Sequence, residues 1–218
     1  NAGIKNDPKR IKPEEFAELY KGHEIACHTY THPTIERCPM EEIVAQVMED
    51  RKELEAAAGY PVRGLSYPNG SYSKEVLPHL GIKYSRVVGS KGHFGMPKDW
   101  LEWQATCHHN NNLLEYGKQF VDLFKKQYLY LMYVWGHSYE FTDKDNWNVI
   151  EDFCELVGNR DDIWYATNIE IYDYMDAAKR LQFSADLSFV YNPNAISIWL
   201  NVAGEYVEVP GGTQVDLP

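Results

Sequence analysis

Short β-patterned runs alternate with helical ones from residue 13 to residue 181, and this alternation is what most limits the fold. Strands separated by helices build right-handed βαβ units and a parallel sheet, either open or closed into a barrel. The segment 13–20, PEEFAELY, begins with Pro13 and two acids and is followed by Gly22, so it reads as a helix. HEIACHT, residues 23–29, alternates as a strand does. Residues 40–58 predict a long helix, with Pro39 before it, Glu41 and Glu42 in its first turn and Gly59 behind it. Ile43, Val47 and Leu54 share its apolar face.

VRGLSY, IKYSRVV, LEWQATC, YLYLMYVW and DIWYAT are five further expected strands. Helices are expected over 73–79, 113–126, 145–157 and 168–181, the first capped by Ser73 and the last by Asn168. YLYLMYVW is the most continuously apolar run, the pattern of a strand buried on both faces. From Ser184 the pattern changes to short strands broken by Asn-Pro-Asn, Ala-Gly-Glu and Pro-Gly-Gly, which predicts a small antiparallel appendage. Residues 1–183 are therefore expected to form an α/β body and 184–218 a short β extension packed on it. The tail's composition is compatible with completing the core, covering a sheet edge or mediating a homo-oligomer.

With 218 residues and 44% hydrophobic content, the chain can bury one substantial core. Six Trp and sixteen Tyr suit either an aromatic-lined sugar cleft or an ordinary large core. A net charge of −11 with no basic run repels phosphate backbones, so nucleic acid is not an expected partner. The apolar runs fall short of the roughly 20 residues a membrane helix needs, so a soluble protein is expected. There is no signal region within the sequence. Cys27, Cys38, Cys107 and Cys154 form no C-x-x-C pair, which announces neither a zinc ribbon nor a disulfide framework and leaves the compartment open.

In parallel α/β folds the chemistry gathers at the rim where strands end. His28 ends one expected strand and His32 lies in the loop after it; Cys107, His108 and His109 end another; His137 follows the most buried one. A loop curling after the strand would bring His28 and His32 to one ion at about 2.0–2.1 Å, the usual Zn–N length. Hydrogen-bonded strand-end histidines without a metal are the plainer alternative. Two imidazoles, a carboxylate and an open water position would make a hydrolytic site, with a further His as general acid. Cys107 beside two histidines admits a nucleophile reading or that of a buried thiol whose neighbours shape a pocket. YPNGSY, residues 67–72, is either a plain Pro-Asn-Gly turn or a loop offering backbone N–H groups to an oxyanion.

GHEIACHTYTHP, RGLSYPNGSY and YVWGHSYEF, in this order and at strand ends, resemble the second, third and fifth motifs of the NodB-like polysaccharide deacetylases over roughly residues 13–180. The resemblance implies a distorted (β/α) barrel of about seven parallel strands. It also implies a divalent metal, most often zinc, and hydrolysis of acetyl groups on an oligo- or polysaccharide. By that resemblance His28 and His32 bind the metal and His137 protonates the leaving group. Asn69 sits where a backbone N–H helps hold the oxyanion, and Tyr67 and Pro68 line the cleft. His108, Trp135 and Tyr139 are pocket residues by position, and Asp99 with Trp100 looks like the fourth motif.

Two departures stand out. Ser66 occupies the place where the third motif carries an Arg, with Arg63 the nearest in sequence. The first motif, an Asp-Asp segment that supplies the catalytic base and the third metal ligand, has no counterpart. Asp161 and Asp162 precede their strand and fall at the opposite rim. Six strands plus one missing give seven, so the expectation is a truncated deacetylase that binds metal weakly and has little activity alone. A non-catalytic carbohydrate-binding protein on the same fold and an amidohydrolase for small amides are the rival expectations.

Overall fold

The computed structural model describes residues 2–3, 10–124 and 128–218. A 3-10 turn over Pro13–Glu15 runs into the short helix α1, Phe16–Leu19. Helix α2, Met40–Ala58, has the limits its flanking residues predict. Pro39 is its N-cap, and Gly59 closes it at φ 77, donating its N–H to Glu55 O. This left-handed conformation suits a glycine, which has no Cβ to clash.

The buried face of α2 carries Ile43, Val47 and Leu54, and also the polar Gln46 and Asp50. The three aliphatic residues contribute about 1.5–3 kcal/mol each by leaving water. The two polar ones are held by partners on the segment that bears His28, as described below.

Strands β1, Gly64–Ser66, β2, Tyr84–Ser90, and β3, Trp103–Ala105, form a parallel sheet in the order β1-β2-β3. The register sets Gly64 against Tyr84, Leu65 against Ser85 and Ser66 against Arg86. The expected strand HEIACHT contracts to one parallel bridge between Cys27 and Leu65. Two hydrogen bonds support it, Cys27 N to Gly64 O at 2.9 Å and Ser66 N to Cys27 O at 2.8 Å. Cys27, Leu65, Tyr67, Ile35, Val47 and Val62 lie in the core between this sheet and α2.

Strand β4, Cys107–His108, follows β3 after Thr106 and pairs in parallel with β5, Val134–Trp135. Helix α3, Leu113–Val121, comes next in the chain, and Lys125 and Lys126 of the expected helix lie outside the described residues. Helices α4, Tyr139–Asp143, and α5, Asn148–Val157, follow β5. A Cβ on Gly117 of α3 would stand 3.0–3.1 Å from Leu156 and Phe153 of α5, so the glycine sets how closely these helices approach.

Several expected elements are shorter or absent. Of YLYLMYVW only Val134–Trp135 is a strand. DIWYAT forms none, and Trp164 and Tyr165 are exposed. Tyr165 Oη instead donates to Val157 O at 2.5 Å and accepts from Arg160 N at 2.9 Å, a local turn in place of a ladder. The helix expected at 73–79 is a 3-10 turn over Leu77–Leu80.

A second compact unit takes in Ala166–Pro218. Helix α6, Asn168–Lys179, is capped by Thr167, one residue before the expected Asn168, in a reciprocal capping box with Glu170. Strands β6, Gln182–Phe183, β7, Phe189–Tyr191, β8, Ile198–Val202, β9, Glu205–Val209, and β10, Gln214–Asp216, form two antiparallel sheets, β10-β7-β6 and β8-β9. Ala203 and Gly204, both at positive φ, make the β8-β9 turn. The architecture is mixed α/β with parallel sheets, and no helix among the described residues is long and apolar enough to cross a membrane.

Candidate active site

The segment after the Cys27 bridge turns sharply, because Thr29 and His32 both adopt left-handed conformations at φ 62 and 64. The curl brings the rings of His28 and His32 edge to face, with centroids 4.8 Å apart. Helix α2 holds this curl. Asp50 accepts His28 N at 2.8 Å and Ala2 N at 2.7 Å, while Gln46 accepts Tyr30 N on its backbone carbonyl at 2.9 Å and Thr31 N on its side chain at 2.8 Å.

His28 Nδ1 lies 2.6 Å from Ser66 O. That contact fixes the proton on Nδ1 and leaves Nε2 with a lone pair, the form a metal ligand needs. Burial drives the His28 pKa down to about 4, against the Ser66 hydrogen bond that favours the charged ring, with His32 and Arg86 adding to the fall. The ring is therefore neutral at pH 7. His28 and His32 supply two nitrogen donors, and among the described residues no carboxylate or thiol completes a set of three with them.

Arg86 of β2 stands where the register places it, opposite Ser66, and donates to Ser66 Oγ. Its guanidinium lies 4.7 Å over the Trp135 ring, and burial lowers its pKa from the usual arginine value. Trp135 Nε1 in turn donates to Ser90 Oγ at 3.2 Å. The neighbouring strand thus brings a guanidinium to Ser66, which sequence order alone conceals.

At the end of β4 and β5 a second group assembles around Glu140 of α4. His137 Nδ1 lies 2.7 Å from Glu140 Oε1, His108 Nε2 3.5 Å from the same oxygen, and His109 Nε2 3.4 Å from Oε2. Asn110 Nδ2 also donates to Oε2. Burial works to raise the Glu140 pKa, but the His137 hydrogen bond and the nearby His108 and His109 outweigh it and hold the carboxyl below the usual range. Burial lowers both His108 and His109.

Of the other residues named from sequence, Tyr67 and Pro68 are buried, and Tyr67 Oη donates to Leu101 O at 3.0 Å. Asn69 is exposed at φ 57 and its amide donates to Thr34 Oγ1 at 3.3 Å. The Asn69 turn thereby meets the loop of His32. Tyr139 is exposed and stacks on His137. His108 meets Trp135 edge to face at 4.6 Å. Asp99 caps the turn after it and pairs with Lys74 at 2.7 Å. Cys107 is buried, and burial pushes its thiol up to about 11, so it is a protonated core residue at neutral pH rather than a ready nucleophile.

Arg86 and Glu140 were not anticipated, and His109 was read only as a pocket-shaping neighbour of Cys107. Glu140 had a local signal, since it stands three residues after His137 at the start of a helix. Arg86 had none, because its role depends on cross-strand register.

Residues 4–84 match the family described as polysaccharide deacetylase. No curated protein matches the chain. Among solved structures it is similar to a CE4 family pseudoenzyme from Bacillus anthracis, at 16% identity over 73% of this chain and 50% of that one, with a TM-score of 0.46. A mutant of that pseudoenzyme gives 16% identity, 73% and 52% coverage and a TM-score of 0.46. A mutant with restored enzymatic activity gives 17%, 65% and 47%, and 0.41. The chain spans about half the length of these structures.

Proposed function

We propose, from the match of residues 4–84 to the polysaccharide deacetylase family, a metal-dependent hydrolase that removes acetyl groups from an oligo- or polysaccharide. The observation that carries the reading is the His28 and His32 pair, 4.8 Å between centroids, with His28 Nδ1 committed to Ser66 O. Two imidazoles are a donor set that suits zinc among the divalent metals. His28 through Nε2 and His32 would hold it. When bound, the ion lowers the pKa of a water and polarises the acetyl carbonyl.

The chain's own groups do the rest. With Nδ1–H directed at Glu140, His137 turns Nε2 toward the reaction, where it takes up the proton lost by the attacking water and then passes it to the departing amine or alkoxide. Glu140 holds that ring orientation as a positioning residue. The turn of Pro68–Gly70 offers backbone N–H of Asn69 to the developing oxyanion. Tyr139, which stacks on His137, and His108 with Trp135, which meet edge to face, are assigned to sugar contact.

The fold reading that goes with this is a distorted (β/α) barrel. The parallel neighbours run in chain order from the Cys27 bridge through β1, β2 and β3, and again from β4 to β5. This sequential order, without the reversal of a doubly wound sheet, supports that reading.

The test is acetate release from N-acetylated and O-acetylated oligosaccharides by the native protein with zinc present. Release that is lost in His28→Ala and His137→Ala supports the proposal. Oligosaccharide binding without any release would replace it with a carbohydrate-binding function, a reading favoured by the lack of a third donor near His28 and His32.

A further inference from the structure

The group around Glu140 uses none of the residues assigned to the metal above. His108, His109 and Glu140 each place a ligand atom within 4.8 Å of the others. We propose that these three side chains form a second divalent-cation site, separate from the His28 and His32 pair and of the zinc-binding class.

His109 is 4% exposed, yet neither of its ring nitrogens makes a hydrogen bond. An unsatisfied buried polar group costs about 1–3 kcal/mol, and a ligand that takes the Nε2 lone pair removes that cost. The ring is also deliberately accommodated. A Cβ on Gly136 would stand 3.0 Å from His109 Cγ and closer still to Cδ2 and Nε2, so only glycine admits the imidazole at this depth.

The spacing fits a metal better than a hydrogen bond. His109 Nε2 lies 3.4 Å from Glu140 Oε2 and His108 Nε2 3.5 Å from Oε1. Ligands bound tetrahedrally at about 2.0–2.1 Å are separated by about 3.3 Å. Asn110 donates to Glu140 Oε2 and His137 contacts Oε1, the kind of outer partner that orients a ligating carboxylate. Two imidazoles and one glutamate leave a fourth position for water or substrate. His108 Nδ1 accepts Asn110 N at 3.1 Å, so ligation through Nε2 requires this ring to change tautomer and release that bond. His109 and Glu140 are accordingly the stronger ligands and His108 the weaker.

Zinc calorimetry and the visible spectrum of the cobalt-substituted protein test the site on the whole chain. Glu140→Gln, which keeps the side-chain shape, is expected to weaken this site by about 100-fold or more, with far-UV circular dichroism unchanged. His28→Ala is expected to leave it intact, with its tetrahedral cobalt bands. His108→Ala should weaken it by a smaller factor. Zinc binding that vanishes in His28→Ala and persists in Glu140→Gln overturns the proposal, as does a native chain that binds no zinc. The first result would leave the deacetylase reading standing, with its metal on the His28 and His32 pair, whereas a native chain that binds no zinc would count against both; acetate release, measured separately, tells the two failures apart.

Discussion

Acidification from neutral pH should destabilise this protein through His28. The ring's pKa falls from 6.5 to about 4 in the folded state, chiefly because burial disfavours the imidazolium, with His32 and Arg86 repelling it and only Ser66 O favouring it. Below pH 6.5 the unfolded chain takes up a proton that the native state refuses until about pH 4. The stability conferred by neutral His28 is therefore complete above pH 6.5, shrinks as pH falls, and is spent below about pH 4. The whole window is worth about 3 kcal/mol, of which about 2 kcal/mol is gone by pH 5. Against a typical total of about 5–15 kcal/mol this is a large fraction. Urea unfolding of the native chain and His28→Gln, in chelator, from about pH 7.5 to about pH 4.5 isolates it, since every other titration is common to both. The difference in unfolding free energy should move by about 2–3 kcal/mol across the window. Parallel profiles, differing by under about 0.5 kcal/mol at all pH values, would refute the assignment.

Gly64→Ala should destabilise the parallel sheet by about 1–3 kcal/mol, because its Cβ would meet Tyr84 Cε1 at 2.5 Å and the hydroxyl closer still; a thermal melt reads this directly. Arg86→Ala should red-shift the emission assigned to Trp135 by difference against Trp135→Phe, and cost about 1–2 kcal/mol through the lost stacking and the freed Ser66 hydroxyl.

The parts of the fold that local chemistry decides were legible. Helix α2 is bracketed by Pro39 and Gly59, and its limits follow from those two residues. Thr167 was equally readable, since Thr-Asn-Ile-Glu is a capping box, and placing the cap on Asn168 mistook the helix's first residue for the one before it. YLYLMYVW and DIWYAT were overextended because strand pairing is a property of the neighbour as well as of the run. At the site, His28 and His32 were visible in one motif. His109 was read only as a pocket-shaping neighbour of Cys107, and its pairing with His108 depends on β4 ending at His108. There His109 N bonds Trp135 O at 3.0 Å, and the two imidazoles stack 4.4 Å apart rather than facing opposite ways.

Four-residue spacing usually aligns two histidines on a helix, and here they meet at a strand's end through two left-handed residues, Thr29 and His32. Each costs about 1–2 kcal/mol for a side chain with a Cβ, more at the β-branched Thr29. The cost is offset from α2. Asp50 accepts two backbone amides and Gln46 two more, one through its carbonyl, and such bonds contribute about 0.5–1.5 kcal/mol each, with more from the charged acceptor. The two sides balance to within a few kcal/mol. Asp50 and Gln46 therefore occupy core positions on α2 for a reason that packing does not supply: they hold a strained loop whose product is the His28 and His32 pair.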